Sequence, residues 1–445
     1  MRAVLVACAL IASACKFDPL PQLNGGGDDG GPGGDAGIDA CTGIGCNIET
    51  CNPGEETTVS GTVYMPNGVT PLANVDVYVP NSAPGPLPVG VTCTRCGPLP
   101  GDPIRRVRSG ADGSFRLVNV PSGANVPLVI TIGKWRRQIV IPQVNECEMT
   151  ALTANATRLP KNRTEGDMPR IALVTGQADA LECVVRKTGI DDVEFGVAGG
   201  EQAVHLFAGT GGANRLTDGT TFPAAGSLWN SLATLTPYDA VLLSCEGNTS
   251  PASKPQTAMN AMKEFADMGG RIFAVHFHSI WIGGELGNPG HAPPVWRDLV
   301  EFDANTQMPV ALTIDVSHAE GARFADWQNT VAPSGTLGRI QFTGNTGRST
   351  VLDLLDPGSI VTYGRAAPGG PNAGRTQLFS FDTPVEGPAL QRCGRVVFSD
   401  MHQASSPNSS MTAPFPNGCG APTLAPQDYG IAYMLFELQQ CVGMP

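Results

Sequence analysis

Two kinds of hydrophobic periodicity divide the chain. Between residues 57 and 145, apolar and polar residues alternate in short runs: TVSGTVYM, VDVYVP, GSFRLVNV, VPLVITIG and RRQIVIP. A period of two turns one face of each run to a core and the other to solvent, which predicts strands. PNG, GADG and PSGA separate the runs and supply turn residues. The stretch predicts a small all-β sandwich.

From residue 168 the pattern changes. RIALVT (170–175), YDAVLLSCEGN (238–248), RIFAVHF (271–277) and CGRVVFSDMHQ (393–403) carry unbroken apolar runs, as buried strands do. Helical patterns lie between and after them. ADALECVVRKTG has Gly189 as its stop. In SKPQTAMNAMKEFADMGG, Ser253 caps, Pro255 sits in the first turn, and Ala258, Met259, Met262, Phe265 and Ala266 share one face before Gly269. PQDYGIAYMLFELQQC (426–441) predicts a closing amphipathic helix with Ile431, Met434, Leu435 and Leu438 inward. Strand–helix alternation implies an α/β domain with a mostly parallel sheet covered on both faces. Residues 283–392 carry strand-like PVALTIDVSH and helix-like ARFADWQNT, which shape a lid or extend the sheet.

The 445 residues allow two or three domains. Only 15% are charged, and Gly (55) and Pro (38) together exceed one residue in five, which suits strands and turns. A net charge of −12 argues against nucleic acid as a partner, because counterion release needs Lys and Arg.

The first residues, MRAVLVACALIASACKFDP, hold one basic residue and an apolar stretch too short to span a bilayer. Ala12-Ser13-Ala14-Cys15 resembles the lipobox of bacterial lipoproteins, with Ala12 where Leu is usual. The resemblance implies that 1–15 is a signal peptide ending in a lipidated Cys15, and that the membrane is a partner through the lipid. The alternative is an ordinary signal peptide cut near Ala14. Lys16, where an Asp would mean inner-membrane retention, favours the outer membrane. Residues 16–56 then read as a tether, low-complexity and acidic over 24–40, and a Cys-rich start. Thirteen cysteines fit an oxidised compartment. Without Cys8 and Cys15 the number left is odd, and Cys245, ending a buried strand, is the one expected to stay free. Cys93 and Cys96 read as disulfide staples near Cys41, Cys46 and Cys51. Cys393, Cys419 and Cys441 are expected to pin the C-terminal helix and loop to the last strand.

VSGTVYMPNGVTPLANVDVYVPN followed by SGADGSFRLVNVPSG resembles the carboxypeptidase regulatory-like domain, a prealbumin-like sandwich that is an accessory module without catalysis. The insertion around Cys93 and Cys96 departs from its pattern. The order of YDAVLLSCEG, helix, GGRIFAVHF and, much later, GRVVFSDMH is similar to the class I glutamine amidotransferase-like fold, a flavodoxin-like architecture, and within it to the trehalose-utilisation (ThuA-like) branch. These resemblances imply a sandwich over 57–145, a linker over 146–167 and an amidotransferase-like domain over 168–445.

Amidotransferases place a nucleophilic Cys on a sharp strand-to-helix turn. Here that place reads Val275-His276-Phe277-His278, with neither Cys nor flanking Gly, so a glutaminase is not expected. His276 and His278, at i and i+2, share a face if the strand persists, and form half of a site for zinc or another divalent metal. Further ligands come from Glu246, Asp400, His402 or His291. The alternative is one imidazole bonded in the core and one in solvent. The ThuA-like resemblance pairs His276 with His402, Asp400 beside it, for acid–base chemistry on a carbohydrate-like substrate. Trp135, Arg136 and Arg137 form a basic-aromatic cluster suited to a sugar or an anionic polysaccharide, or else an exposed strand face with an interdomain Trp. Two functions follow: an exported, envelope-anchored binding or structural module, or a ThuA-like enzyme, with or without the assistance of a metal.

Overall fold

The five alternating runs fold as strands, and two further strands, at 103–108 and 149–151, bring the first part to seven. They are β1 (Thr58–Thr62), β2 (Asp76–Pro80), β3 (Pro103–Arg108), β4 (Ser114–Val118), β5 (Gly123–Ile132), β6 (Trp135–Val144) and β7 (Met149–Ala151). They form two sheets, β4-β1-β7 and β3-β2-β5-β6. Alternation works as expected in β4, where Phe115 and Leu117 are buried while Ser114 and Arg116 are exposed. β3 carries no clear alternation and was not among the expected strands; it pairs with the edge of β2. This computed structural model describes residues 43–288, 290–304, 307–404, 413–420 and 422–443. Cys15, the expected signal peptide over 1–15, the Gly/Asp segment and Cys41 lie outside the described residues.

The second part contributes β8 (Ile171–Val174), β9 (Phe195–Gly196), β10 (Val204–Phe207), β11 (Ala240–Leu243), β12 (Arg271–Val275), β13 (Val300–Phe302), β14 (Ala311–Ile314), β15 (Arg339–Gln341), β16 (Val351–Leu354), β17 (Ile360–Ala366), β18 (Thr376–Thr383) and β19 (Gly394–Ser399). Ten of these make one sheet, in the order β15-β14-β17-β18-β19-β12-β11-β8-β10-β9. From β9 to β19 all pairings are parallel. From β19 to β15 all are antiparallel. The expected mostly parallel sheet is therefore mixed. Residues 283–392 extend it instead of forming a lid, because β17 and β18 are joined by the Gly/Pro/Asn-rich turn PGGPNAG, with no helix to carry a crossover. β13 and β16 form a separate antiparallel ribbon.

Among the described residues, four helices of seven or more residues accompany the sheet: Leu181–Lys187, Gln256–Asp267, Ala319–Val331 and Pro426–Glu437. Gln256–Asp267 buries Ala258, Met259, Met262, Phe265 and Ala266, the face read from the sequence. Pro426–Glu437 departs from expectation. It is buried over most of its circumference. Tyr433 stacks on Phe324 at 4.4 Å, and Phe436 meets Trp135 of the sandwich at 5.8 Å. The helix is thus wedged between another helix and the sandwich, which removes the solvent face an amphipathic pattern assumes.

The described residues form one compact unit. The sandwich is locked to the large sheet by Cys93–Cys393 and Cys96–Cys441, by a 2.8 Å bond from the Trp327 indole to the Pro71 carbonyl, and by another from the Gln440 amide to the Asn74 carbonyl. Cys93 and Cys96 therefore staple the two layers together rather than the N-terminal region. Cys183–Cys419 and Cys51–Cys147 are two further disulfides. Cys441 pins the end of the last helix, as expected, but to Cys96 and not to the last strand. Bridges of this number fit an extracellular, oxidising environment. No helix among the described residues is long and apolar enough to cross a membrane.

Candidate functional site

Four neighbouring parallel strands end at one edge of the sheet, and the candidate residues sit just beyond those ends. β8 leads into Thr175 and Gly176, β11 into Cys245 and Glu246, β12 into His276, and β19 into Asp400 and His402. Carboxyl ends of parallel strands are where open α/β sheets leave a crevice. The backbones are close here. A Cβ on Gly176 would lie 2.3 Å from the Cys245 carbonyl oxygen, so only glycine allows β8 and β11 to leave the sheet side by side.

β12 stops at Val275, and residues 276–279 turn sharply into the helix Ile280–Gly283. His276 takes a left-handed backbone with φ 47°. A non-glycine residue held there is strained, and such strain concentrates at functional positions. The turn brings His276 Nδ1 to 3.5 Å from Cys245 Sγ. It also separates the two histidines of the HFH stretch, since the strand has ended before either one. His276 and His278 do not share a strand face, and the expected pair is corrected.

His278 turns inward, 1% exposed. Its Nε2–H donates to the Ser244 carbonyl at 2.8 Å, and its Nδ1 accepts from the Trp281 indole at 3.1 Å. Both nitrogens are used, so His278 has no lone pair for a metal. Glu246 is equally committed. Its carboxylate meets Lys254 Nζ at 2.6 Å and accepts from the Thr210 amide at 2.8 Å. The expected set His276, His278 and Glu246 is therefore not a metal-ligand set in this geometry. His291 donates to the Lys254 carbonyl at 2.7 Å.

His402 does face His276, with ring centroids 5.1 Å apart. Its Nδ1–H donates to the Ala178 carbonyl at 3.0 Å, while its buried Nε2 has no hydrogen-bond partner. Burial pushes His402 down to about 4 and His276 well below the ordinary imidazole value, with the Arg348 guanidinium adding to both effects. Both rings are neutral at physiological pH. Asp400, the third expected catalytic residue, points to another task. Its carboxylate accepts from the Thr350 amide at 2.6 Å and the Thr350 hydroxyl at 2.8 Å. Burial pushes it up to about 7, and Asp179, fully buried near His402, is raised to about 7 by the same cause.

Cys245 is free and buried, as expected from its position at the end of a strand. Its link to His276 was not read from the sequence. The available signal was that YDAVLLSC and RIFAVH are consecutive buried strands, whose ends lie side by side if they pair in parallel. Burial pushes the thiol up to about 12.

The basic-aromatic cluster is not a surface. Trp135 is 3% exposed and packs on Phe436. Arg136 pairs with Asp167 at 2.8 Å and donates to the Gly85 carbonyl. Arg137 donates to the carbonyls of Asn155 and Arg158. The interdomain reading of the Trp holds, and the expected ligand-binding role has no open face on which to act.

No family model matches the sequence, and no curated protein matches it. Two solved structures show local likeness: type II cohesin–X-dockerin complexes from Acetivibrio cellulolyticus, one an N-terminal and one a C-terminal interface mutant. Each is 15% identical, over 32% of this chain and 75% of that chain, with a TM-score of 0.16. A score of that size marks no shared overall fold, and nothing about this chain follows from it.

Proposed function

We propose that this is an exported lipoprotein of the cell envelope, anchored through Cys15, whose sandwich and amidotransferase-like domain act together as a binding or structural module rather than a glutaminase. The observation that carries the reading is at the strand-to-helix turn after β12. The left-handed residue there is His276, and the free cysteine nearby, Cys245, is fully buried with its thiol held protonated. A glutaminase needs an exposed thiolate at that turn. The strand order β10-β8-β11-β12-β19, all parallel, supports a flavodoxin-like arrangement of that part of the sheet. The sandwich, bound covalently to the large sheet, supports an accessory role for the regulatory-like domain.

The test is chemical. The full chain is treated with iodoacetamide and with a glutamine-mimicking diazoketone, and labelling is mapped by mass spectrometry. Cys245 is expected to label only after unfolding, and the mature N-terminus to be an acylated Cys15. Rapid native labelling of Cys245 with release of ammonia from glutamine would refute the non-glutaminase reading; an unacylated N-terminus would refute the anchor.

A second reading is favoured by the approach of His276 to His402 across β12 and β19. It is a ThuA-like enzyme on a carbohydrate-like substrate, with those two imidazoles in the crevice. It requires that His276→Ala and His402→Ala each abolish a hydrolytic or isomerising activity on small sugars while the melting temperature stays within a few degrees.

A further inference from the structure

We infer that Cys245, His276 and His402 form a metal centre for a thiophilic transition-metal ion, zinc or copper. No other cysteine, histidine, aspartate or glutamate grouping of three among the described residues brings ligand atoms this close: one from each lies within 4.8 Å of the others, and all three residues are buried. The three come from the ends of three strands adjacent in the sheet, β11, β12 and β19, so the framework that holds them is rigid.

The distances suit an ion. A tetrahedral metal with a sulfur ligand at about 2.3 Å and a nitrogen ligand at about 2.0 Å sets those two atoms roughly 3.5 Å apart. Cys245 Sγ and His276 Nδ1 are 3.5 Å apart. Bringing in the third ligand asks for a closure of about 1 Å, within the reach of side-chain torsion.

Two further observations point to a ligand. His402 has its tautomer fixed by the bond from Nδ1–H to the Ala178 carbonyl, which leaves the Nε2 lone pair free, and that buried nitrogen has no partner in the protein. Ligating histidines are oriented in this way, through the nitrogen that does not bind. Cys245 Sγ in turn receives the Gly247 amide at 3.5 Å, which holds the sulfur in place. On binding, the S–H bond breaks, the proton passes to water, and sulfur donates its electron pair to the metal. No oxidant or reductant is required.

Thiolate with two imidazoles selects against magnesium and calcium, which take oxygen ligands. The set is shared by three-ligand zinc sites and by copper sites, and the ion itself separates these. Cys245 is 0% exposed and the two histidines 4% and 3%, so the centre is nearly closed and suits retention of an ion rather than turnover of a large substrate. The centre does not depend on the anchor or on the fate of glutamine, and it can fail without them.

The experiment uses the full chain, exported by its own signal, purified without a histidine tag from cells grown with zinc, with copper or with cobalt as a spectroscopic probe. Elemental analysis is expected to find about one equivalent per chain. Cobalt is expected to give a thiolate-to-metal charge-transfer band in the near ultraviolet. Cys245→Ser and His402→Ala are expected to lower the metal content at least tenfold and to remove the band, while His318→Ala, a partly exposed histidine elsewhere, leaves both unchanged. Circular dichroism and melting of each variant establish that it is folded. If a variant does not fold, the wild-type cobalt band decides alone, because only a cysteine ligand produces it and Cys245 is the free one among the described residues. A folded wild-type chain with less than a tenth of an equivalent of every ion overturns the inference. So does a full equivalent without a charge-transfer band, or one retained in Cys245→Ser. Retention of zinc but not copper, or the reverse, supports the centre and names its ion.

Discussion

Cys96 and Cys441 are bonded to each other across 345 residues of chain, and Cys93 and Cys393 across 300. The two bridges start three positions apart, so they are not independent. With Cys93–Cys393 in place, the loop that Cys96–Cys441 closes falls to roughly 50 residues, worth about 4 kcal/mol on the loop-entropy account. The double variant Cys96→Ala/Cys441→Ala is therefore expected to lose about 2–4 kcal/mol in chemical denaturation. Removing all four cysteines is expected to cost more than the sum of two such short-loop losses, because the long closure is then lost as well.

Trp135 joins the sandwich to the last helix through Phe436. Trp135→Ala opens a cavity between layers and is expected to destabilise the fold by about 3–5 kcal/mol, measured by denaturant titration. Binding to polysaccharide columns is expected not to change. A variant of normal stability that loses such binding would return Trp135 to the ligand role suggested by its neighbours in sequence.

Lys254 and Glu246 form an ion pair with side chains 1% and 3% exposed. Lys254→Met alone leaves a carboxylate buried with one amide donor and is expected to cost about 3–5 kcal/mol. Glu246→Gln/Lys254→Met is expected to recover most of that loss. The readout is a double-mutant cycle of unfolding free energies, and additivity of the two single changes would contradict the pairing.

Glu165 is held by two 2.6 Å bonds from the Arg158 guanidinium, which lower its carboxyl from 4.5 to about 2. A carboxyl whose folded value is depressed contributes stability above its unfolded value, and that contribution fades as pH falls from 4.5 toward about 2. Glu165→Gln is expected to lower the melting temperature at pH 6, with the gap to wild type shrinking steadily as the pH approaches 3. A gap that does not change between pH 6 and pH 3 would mean the bonds to Arg158 carry no net stability.

Much of this architecture was legible, and the reasons are local. β8, β11, β12 and β19 carry short continuous apolar runs, IALV, AVLL, IFAV and VVF, and the structure buries all of them. β10 was missed: VHLF is short and follows a Gly-rich stretch without periodicity. The antiparallel half was legible only as fragments, because β17 and β18 mix Thr, Gly, Arg and Gln with apolar residues while facing a partner strand on each side. At the site, strand ends marked His276 and His402. The i, i+2 argument for His278 failed because it holds only while a strand continues, and the chain bends at His276. Cys245 was readable as free but not as the neighbour of His276. That contact needs both the parallel pairing of β11 with β12 and a left-handed histidine, and spacing reveals neither.

The long bridges also set the order in which the molecule can mature. During synthesis, Cys93 and Cys96 appear about 300 residues before the partners they finally hold. Until then the nearest thiol to each is the other, two residues between them, in a chain already meeting oxidant. A bond formed at that stage must be broken again by thiolate attack before Cys393 and Cys441 can be captured. Wherever that early bond forms, maturation needs a compartment that exchanges disulfides as well as one that makes them, and yield in a host without an isomerase is then limited by chains arrested with their first two sandwich cysteines closed on each other.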